Sequence, residues 1–129
     1  GWSMSERITR NLVIDALTMA VTQRHPPAGL MHHSDRSSEY ASAVIQRMLA
    51  AHGMVRSMSR NGEVYDNAVM ESFYATLIRE LVSFVRYAPR DEARNAIFES
   101  IELFFNRQRL HSSLDYRSPT DYGAAAEKL

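Results

Sequence analysis

Two acids carry the chemistry this sequence can offer: Asp35, within "MHHSDRSSEY", and Glu71, within "YDNAVMESFY". Asp35 follows a short apolar run, at the carboxyl end of a strand candidate, where open α/β sheets place ligands. Glu71 falls in the first turn of a long helical pattern, behind a polar loop. Thirty-five residues separate them. Two hard oxygen donors from different elements at one sheet edge suit magnesium, which keeps several waters and takes few protein carboxylates. Two such ions about 3.5–4 Å apart activate an attacking oxygen and stabilise a leaving one in phosphodiester chemistry. The structural alternative is that Asp35 caps the next helix and Glu71 is a surface acid favoured by the helix dipole. His32 and His33 raise the question of zinc, but a third ligand at compact spacing is missing from the sequence. One histidine is expected to face the core and the other the rim of the site.

These residues need elements to hold them. The opening "GWSMS" reads as the end of a strand. A helix follows through Ile8, Leu12, Ala16, Leu17, Ala20 and Val21, and His25-Pro26-Pro27 stops it. "GLMHHS" is a short strand. From Ser38 a second helix carries Tyr40, Val44, Ile45, Met48 and Leu49 inward and ends at Gly53. "MVRSMS" is a second strand and "RNGEVY" a loop. Asp66 or Asn67 can cap a third helix with the stripe Met70, Phe73, Leu77, Leu81 and Phe84. A fourth helix is expected from Pro89, packing through Ala93, Ile97, Ile101 and Phe104; the tail beyond it is rich in turn formers. Short parallel strands with four helices make an α/β layer, and the sheet is too small for its helices.

Composition narrows the classes. At 129 residues, 45% hydrophobic, the chain supports one domain with a real core and argues against disorder. No apolar run approaches the roughly 18 residues a membrane span needs, and no secretory signal pattern is present. The absence of cysteine removes disulfides, thiolate metal sites and thiol nucleophiles, and fits a reducing cytoplasm. Fifteen basic residues balance fifteen acidic ones, so no global basic field points to nucleic acid. Fourteen of the basic residues are arginines, whose planar fork suits phosphate and carboxylate. A GC-rich genome explains the same bias.

Three separated segments, "HHSDRSSEY", "AHGMVRSMSRNGEVYDNAVMESFYATL" and "FFNRQRLHSSLDYRSPTDY", occur in order. Together they resemble the C-terminal two-thirds of the integrase-type catalytic domain of bacterial insertion-sequence transposases, relatives of retroviral integrases. The resemblance runs from Gly1 to about Tyr122, with a tail motif at about 106–122. It implies a ribonuclease-H-like fold and an Asp-Asp-Glu metal triad, in which Asp35 and Glu71 match the second and third members. It further implies Mg2+ or Mn2+, as two ions in a complete domain, and double-stranded DNA, as element ends and target. A bacterial cytoplasmic protein, without a membrane role, follows from the same likeness.

Arg56 and Arg60 flank a loop that faces DNA in such folds, so phosphate contact is set against solvated surface charge. Tyr65, Asp66 and Asn67 either position DNA and the loop beside the metals or cap and pack the helix start. Arg107, Arg109 and His111 belong to the tail motif, with DNA contact and structural hydrogen bonding both open.

The sequence also departs from the pattern. The first aspartate of the triad should lie on a strand upstream of Gly1, and Asp15, on the first helix, does not replace it. The chain thus reads as an N-terminally truncated fragment, inactive or nearly so alone, covering 1–129 as a partial catalytic core. Its exposed sheet edge is expected to be covered by a second copy, through strand pairing or exchange of elements. Ser37 and Glu39 stand where relatives often have Gly and Gln. Ile78 stands where lysine is common, leaving Arg79 as a partial substitute for a DNA contact. Pro89 replaces a common threonine cap. A truncated copy that binds DNA or full-length partner without cutting is the alternative function, and a nuclease of the same fold a third.

Overall fold

Helix α1, Arg10–Arg24, begins one residue after Thr9, and His25 ends it in a left-handed conformation (φ 44°) with its amide bonded to the Val21 carbonyl at 2.9 Å. Two prolines follow immediately and prevent the helix from resuming. The structure, a computed structural model, describes residues 1–82 and 90–128. They form two compact units, Gly1–Glu71 and Ser72–Leu129.

In the first unit, strand β1 (Met31–Ser34) pairs in parallel with β2 (Val55–Met58), register running from Met31 opposite Val55 to Ser34 opposite Met58. Helix α2, Ala43–Ala51, makes the crossover between them. Gly53 turns the chain into β2 at φ +65°, and a Cβ there would meet the Ala28 Cβ at 3.0 Å, so glycine serves both backbone and space. Its carbonyl accepts the Gly29 amide at 2.7 Å and starts the sheet. Leu17, Ile45 and Leu49 form the buried core, with Val13, Ile14, Val21, Met48 and Met54 packed around them. Among the described residues β1 has β2 as its only strand partner. Met31 and Val55 stay 63% and 50% exposed, an apolar sheet end without a cover in this unit.

Helix α3, Ala68–Leu77, begins in the first unit and ends in the second, continuing as a π-helical stretch over Ile78–Val82. Helix α4, Arg90–Phe98, likewise runs into a π-helical stretch, Glu99–Phe105. In the second unit Phe73 meets Phe105 edge-on at 5.0 Å, and Phe105 meets His111 at 4.6 Å. A bridge between His111 and Arg117 closes the tail into a small antiparallel turn. Helix α5, Pro119–Ala126, follows.

Several expectations need correcting. "GWSMS" is not in a strand: the Trp2 amide donates to the Met19 sulfur at 3.3 Å, and Gly1 lies against Ala16 and Ala20. Those first residues lie along α1, where a thioether takes an amide that a neighbouring strand would otherwise accept. Ile8 precedes α1 and is 80% exposed. The second helix starts at Ala43, not Ser38, because the Ser42 hydroxyl accepts the Ile45 amide and caps it. Among the described residues Asp66 accepts from Arg60 and from no helix amide, so it is not seen as the cap.

Met70 and Phe104 are exposed rather than core. In the π-helical stretch the Asn106 amide reaches Ile101, five residues back. Such bonding widens the helix and advances the inward stripe by a residue, which brings in Phe105 instead. The α-helices number five among the described residues, one more than expected. The turn-rich tail hides α5, started by the Ser118 hydroxyl accepting the Asp121 amide at 3.2 Å. Phe84 and Pro89 lie outside the described residues.

Candidate functional site

The carboxyl end of the two-stranded sheet is built by one residue, Ser59. Its amide donates to the Ser34 carbonyl at 2.8 Å, extending the parallel ladder one step beyond Met58. Its hydroxyl lies 3.3 Å from His33 Nε2 and 3.4 Å from the Ser34 carbonyl. Its own carbonyl accepts Arg36 Nε at 2.6 Å. Ser34 and Ser59 are both 7% exposed, so the chain leaves each strand from a fixed point.

Asp35 follows Ser34 at the end of β1 and Arg60 follows Ser59 beyond β2, and both line an open cleft of about 280 Å³. Arg36, Ser59, Asn61, Gly62 and Glu63 line it as well, and Asn67 and Glu71 complete it. Every lining residue belongs to the first unit.

Asp35 Oδ1 accepts the Ser37 amide at 2.9 Å, a short turn that fixes the carboxylate. Its Oδ2 has no hydrogen-bond partner among the described residues, and neither has the Glu71 carboxylate, which is exposed in the first turn of α3. Two carboxylates with free oxygens, beside the side-chain amides of Asn61 and Asn67, are hard oxygen donors suited to Mg2+. Among the described residues no three His, Cys, Asp or Glu side chains come together closely enough to hold a metal ion.

The loop between β2 and α3 is closed by a single pair. Asp66 Oδ2 accepts the Arg60 amide at 2.9 Å and Nε at 3.0 Å, and Oδ1 accepts Nη2 at 3.0 Å. The guanidinium, and then the Arg60 amide, hold the Asp66 carboxyl down to about 2. Tyr65, in the 3-10 turn Val64–Asn67, is 84% exposed.

Arg56 is exposed on β2 and does not line the cleft. His33 bonds Ser57 Oγ through Nδ1 at 2.9 Å, which turns it toward the serines beside the cleft. His32 is half-buried near Tyr40, and desolvation lowers its pKa. Arg79, Arg107, Arg109 and His111 belong to the second unit. There Arg109 Nη1 donates to Glu80 Oε2 at 2.6 Å and its guanidinium lies 6.0 Å from the Phe105 ring centre. His111 Nε2 is buried and has no hydrogen-bond partner among the described residues. Arg79 and Arg107 are exposed.

Of the lining residues, Asp35, Arg60, Asn67 and Glu71 are among the candidates the sequence offers, and Arg36, Ser59, Asn61, Gly62 and Glu63 are not. Arg36 and Ser59 gave no composition signal, since their part is to hydrogen-bond across the strand ends. Asn61 and Glu63 lay in view, inside a Gly-containing loop between two site residues.

Comparison with known proteins bears on the site. A family profile described as "Integrase core domain" matches residues 1–63, and a second of the same description matches residues 52–119. The transposase for insertion sequence element IS904 of Lactococcus lactis subsp. lactis (strain IL1403) is 48% identical over 122 residues, covering 95% of this chain and 48% of that protein. Transposase InsF for insertion sequence IS3A of Escherichia coli (strain K12) is 40% identical over 122 residues, covering 95% and 42%. The chain therefore spans about half the length of the curated relatives it matches. A chain from the cryoEM structure of the simian T-cell lymphotropic virus intasome, in complex with PP2A regulatory subunit B56 gamma, aligns with a TM-score of 0.69. That alignment has 16% identity and covers 92% of this chain and 41% of the other, a likeness of fold. The α/β, ribonuclease-H-like fold expected from the three motifs is the fold observed. No described helix is long and apolar enough to cross a membrane.

Proposed function

The chain belongs to the integrase core domain family, and from that premise we propose that it is the C-terminal part of a transposase catalytic domain. The whole protein then cuts DNA at the ends of an insertion sequence and joins the cut strands. The observation that carries this reading is that Asp35 and Glu71, remote in sequence, line one cleft with carboxylate oxygens to spare.

In this reading Asp35 and Glu71 hold Mg2+ or Mn2+, as two ions once a third acid from an upstream segment joins them. Bound there, the ions supply charge stabilisation at the attacking and leaving oxygens and make a potent nucleophile at neutral pH. The attacking group is water or a DNA 3′-hydroxyl, and no covalent protein intermediate is needed. Asn67 orients DNA or solvent at the rim of the cleft. Arg60 keeps its Nη1 donors for a phosphate while Nε and Nη2 stay on Asp66. Exposed Arg56, Arg79 and Arg107 offer phosphate contacts that set register rather than sequence. Arg109 and His111, engaged with Glu80 and Phe105, support the tail first and DNA second. Residues 1–129 are then one partial catalytic core with its tail motif at about 106–122. The β1 edge, which has no second strand partner among the described residues, is where a second copy docks on double-stranded DNA in the bacterial cytoplasm.

One observation favours a second reading for the chain by itself. Glu63 lines the same cleft, yet among the described residues no three His, Cys, Asp or Glu side chains come close enough to hold a metal ion, so a non-catalytic form that binds DNA or a full-length partner is the alternative. Magnesium-dependent nicking and strand transfer, assayed on this chain and on the chain extended upstream, separate the two. The catalytic reading expects activity only in the extended protein, abolished by Glu71→Gln. Nicking that survives the substitution removes Glu71 from the site, and activity confined to unrelated nucleic acid points to a nuclease.

A further inference from the structure

Asp66 and Arg60 stand six residues apart and bracket the loop that lines the cleft between β2 and α3. Their contact differs from an ordinary surface ion pair in two respects. Both carboxylate oxygens are engaged by the guanidinium, so the pair fixes orientation as well as distance. The Arg60 amide is also bonded to Asp66, so the acid grips the main chain at the end of β2, not only a long side chain.

The acid is the anchored partner, its side chain 23% exposed against 73% for the arginine. Inside the clasp the loop turns through a bond from the Glu63 amide to the Arg60 carbonyl at 3.2 Å and a left-handed Gly62 at φ +79°. Asp66 lies in the 3-10 turn that feeds α3, next to Asn67 and five residues before Glu71. At the loop's other end, Arg60 follows Ser59, which is bonded to Ser34, the residue before Asp35. A continuous chain of bonds thus joins the backbone beside one carboxylate to the element that carries the other.

Building on the two-carboxylate reading above, we propose that the Arg60–Asp66 clasp is the device that sets Glu71 against Asp35. Both residues are positioning residues. Neither needs to touch the metal. Without the clasp the start of α3 swings on a Gly-containing loop, and the two carboxylates lose their mutual register.

Charge makes the test discriminating. If the pair acted only through its field, Arg60→Ala would remove a positive charge from the cleft and tighten cation binding, whereas Asp66→Asn would weaken it. Positioning predicts that both weaken it. Mn2+ titration of the chain, followed by the signal of the free ion, should show affinity falling about tenfold in each variant, the lower end of what supporting shells contribute. Arg60→Lys, which keeps a charge and the backbone bond to Asp66, should recover part of the loss. Tighter binding in Arg60→Ala overturns the proposal.

A second measurement needs no metal. The chain has no cysteine, so nitroxide labels can be placed through Ser38→Cys and Val69→Cys, both at exposed positions. The distance distribution between them should be narrow in the parent background and broadened by Asp66→Asn and by Arg60→Ala. An unchanged distribution in both variants also overturns the proposal. If the unaltered chain binds no Mn2+, the two-carboxylate reading fails, and the label distances still decide whether the clasp holds the loop.

Discussion

The Ser59 amide donates to the Ser34 carbonyl at 2.8 Å, one step past the paired residues of the sheet. Through that bond the residue before Asp35 and the residue before Arg60 become one fixed point. The cleft opens directly beyond it, so the geometry of the site is inherited from the ladder rather than from the loop alone.

Ser59 is 7% exposed, with bonds on its amide, hydroxyl and carbonyl. Ser59→Val adds bulk where neighbours are close, and should cost about 1–3 kcal/mol of stability by overpacking. Ser59→Ala removes only the long hydroxyl contacts at 3.3 and 3.4 Å and should cost about 1 kcal/mol or less. Urea denaturation of the two variants checks the order. Equal losses would mean that the hydroxyl, not the packing, matters here.

Among the described residues the buried core of the first unit is three side chains, of which Ile45 is fully enclosed. Ile45→Ala should cost about 2–5 kcal/mol, from lost burial and the cavity left behind. In so small a core that is a large part of the total. The expected result is a denaturation midpoint far below that of Ser42→Ala, which loses one helix cap worth about 1 kcal/mol.

Acid should lower the protein's stability in stages. Asp66 and Glu80 are both held below their usual carboxylate range, Asp66 at about 2, each chiefly by hydrogen bonds from an arginine side chain, Arg60 and Arg109 respectively. An acid whose pKa is depressed on folding stabilises fully above its unfolded value and loses that contribution as pH falls through the folded one. Stability should therefore decline between about pH 5 and pH 2, and Asp66→Asn should flatten the lower part of that limb. His32 acts earlier and in the same direction. Burial lowers its pKa below 6.5, so the unfolded chain takes up a proton that the folded chain resists, and stability begins to fall near pH 6.5. Denaturant midpoints across this range, with the His32 ring followed by NMR, test both steps.

How much of this lay open in the sequence differs from residue to residue. Taken alone, Asp35 and Glu71 admitted two readings, a metal site or a helix cap with a surface acid, and the resemblance carried by the three motifs favoured the first. Strands β1 and β2 and the stop at Gly53 were legible from local signals, whereas "GWSMS" was misread as a strand end. Ser59 was not, because its part depends on a bond to Ser34, 25 residues away. Asp66 looked like a cap because caps are local, and a bidentate arginine outcompeted the helix amides. Phe105 displaced Phe104 through a π-helical widening that a period of 3.6 residues does not anticipate. Helix α5 was a legible miss: Ser118, Pro119 and Asp121 are a cap, a first-turn proline and a first-turn acid in the expected order.

Paramagnetic Mn2+ added to isotopically labelled chain bears most directly on the central claim. Two carboxylates sharing one cation site predict selective broadening of the amides of Asp35, Arg36, Asn61, Gly62 and Glu71, lost together in Asp35→Asn and in Glu71→Gln. Broadening that centres elsewhere, or that either substitution leaves intact, would contradict the account.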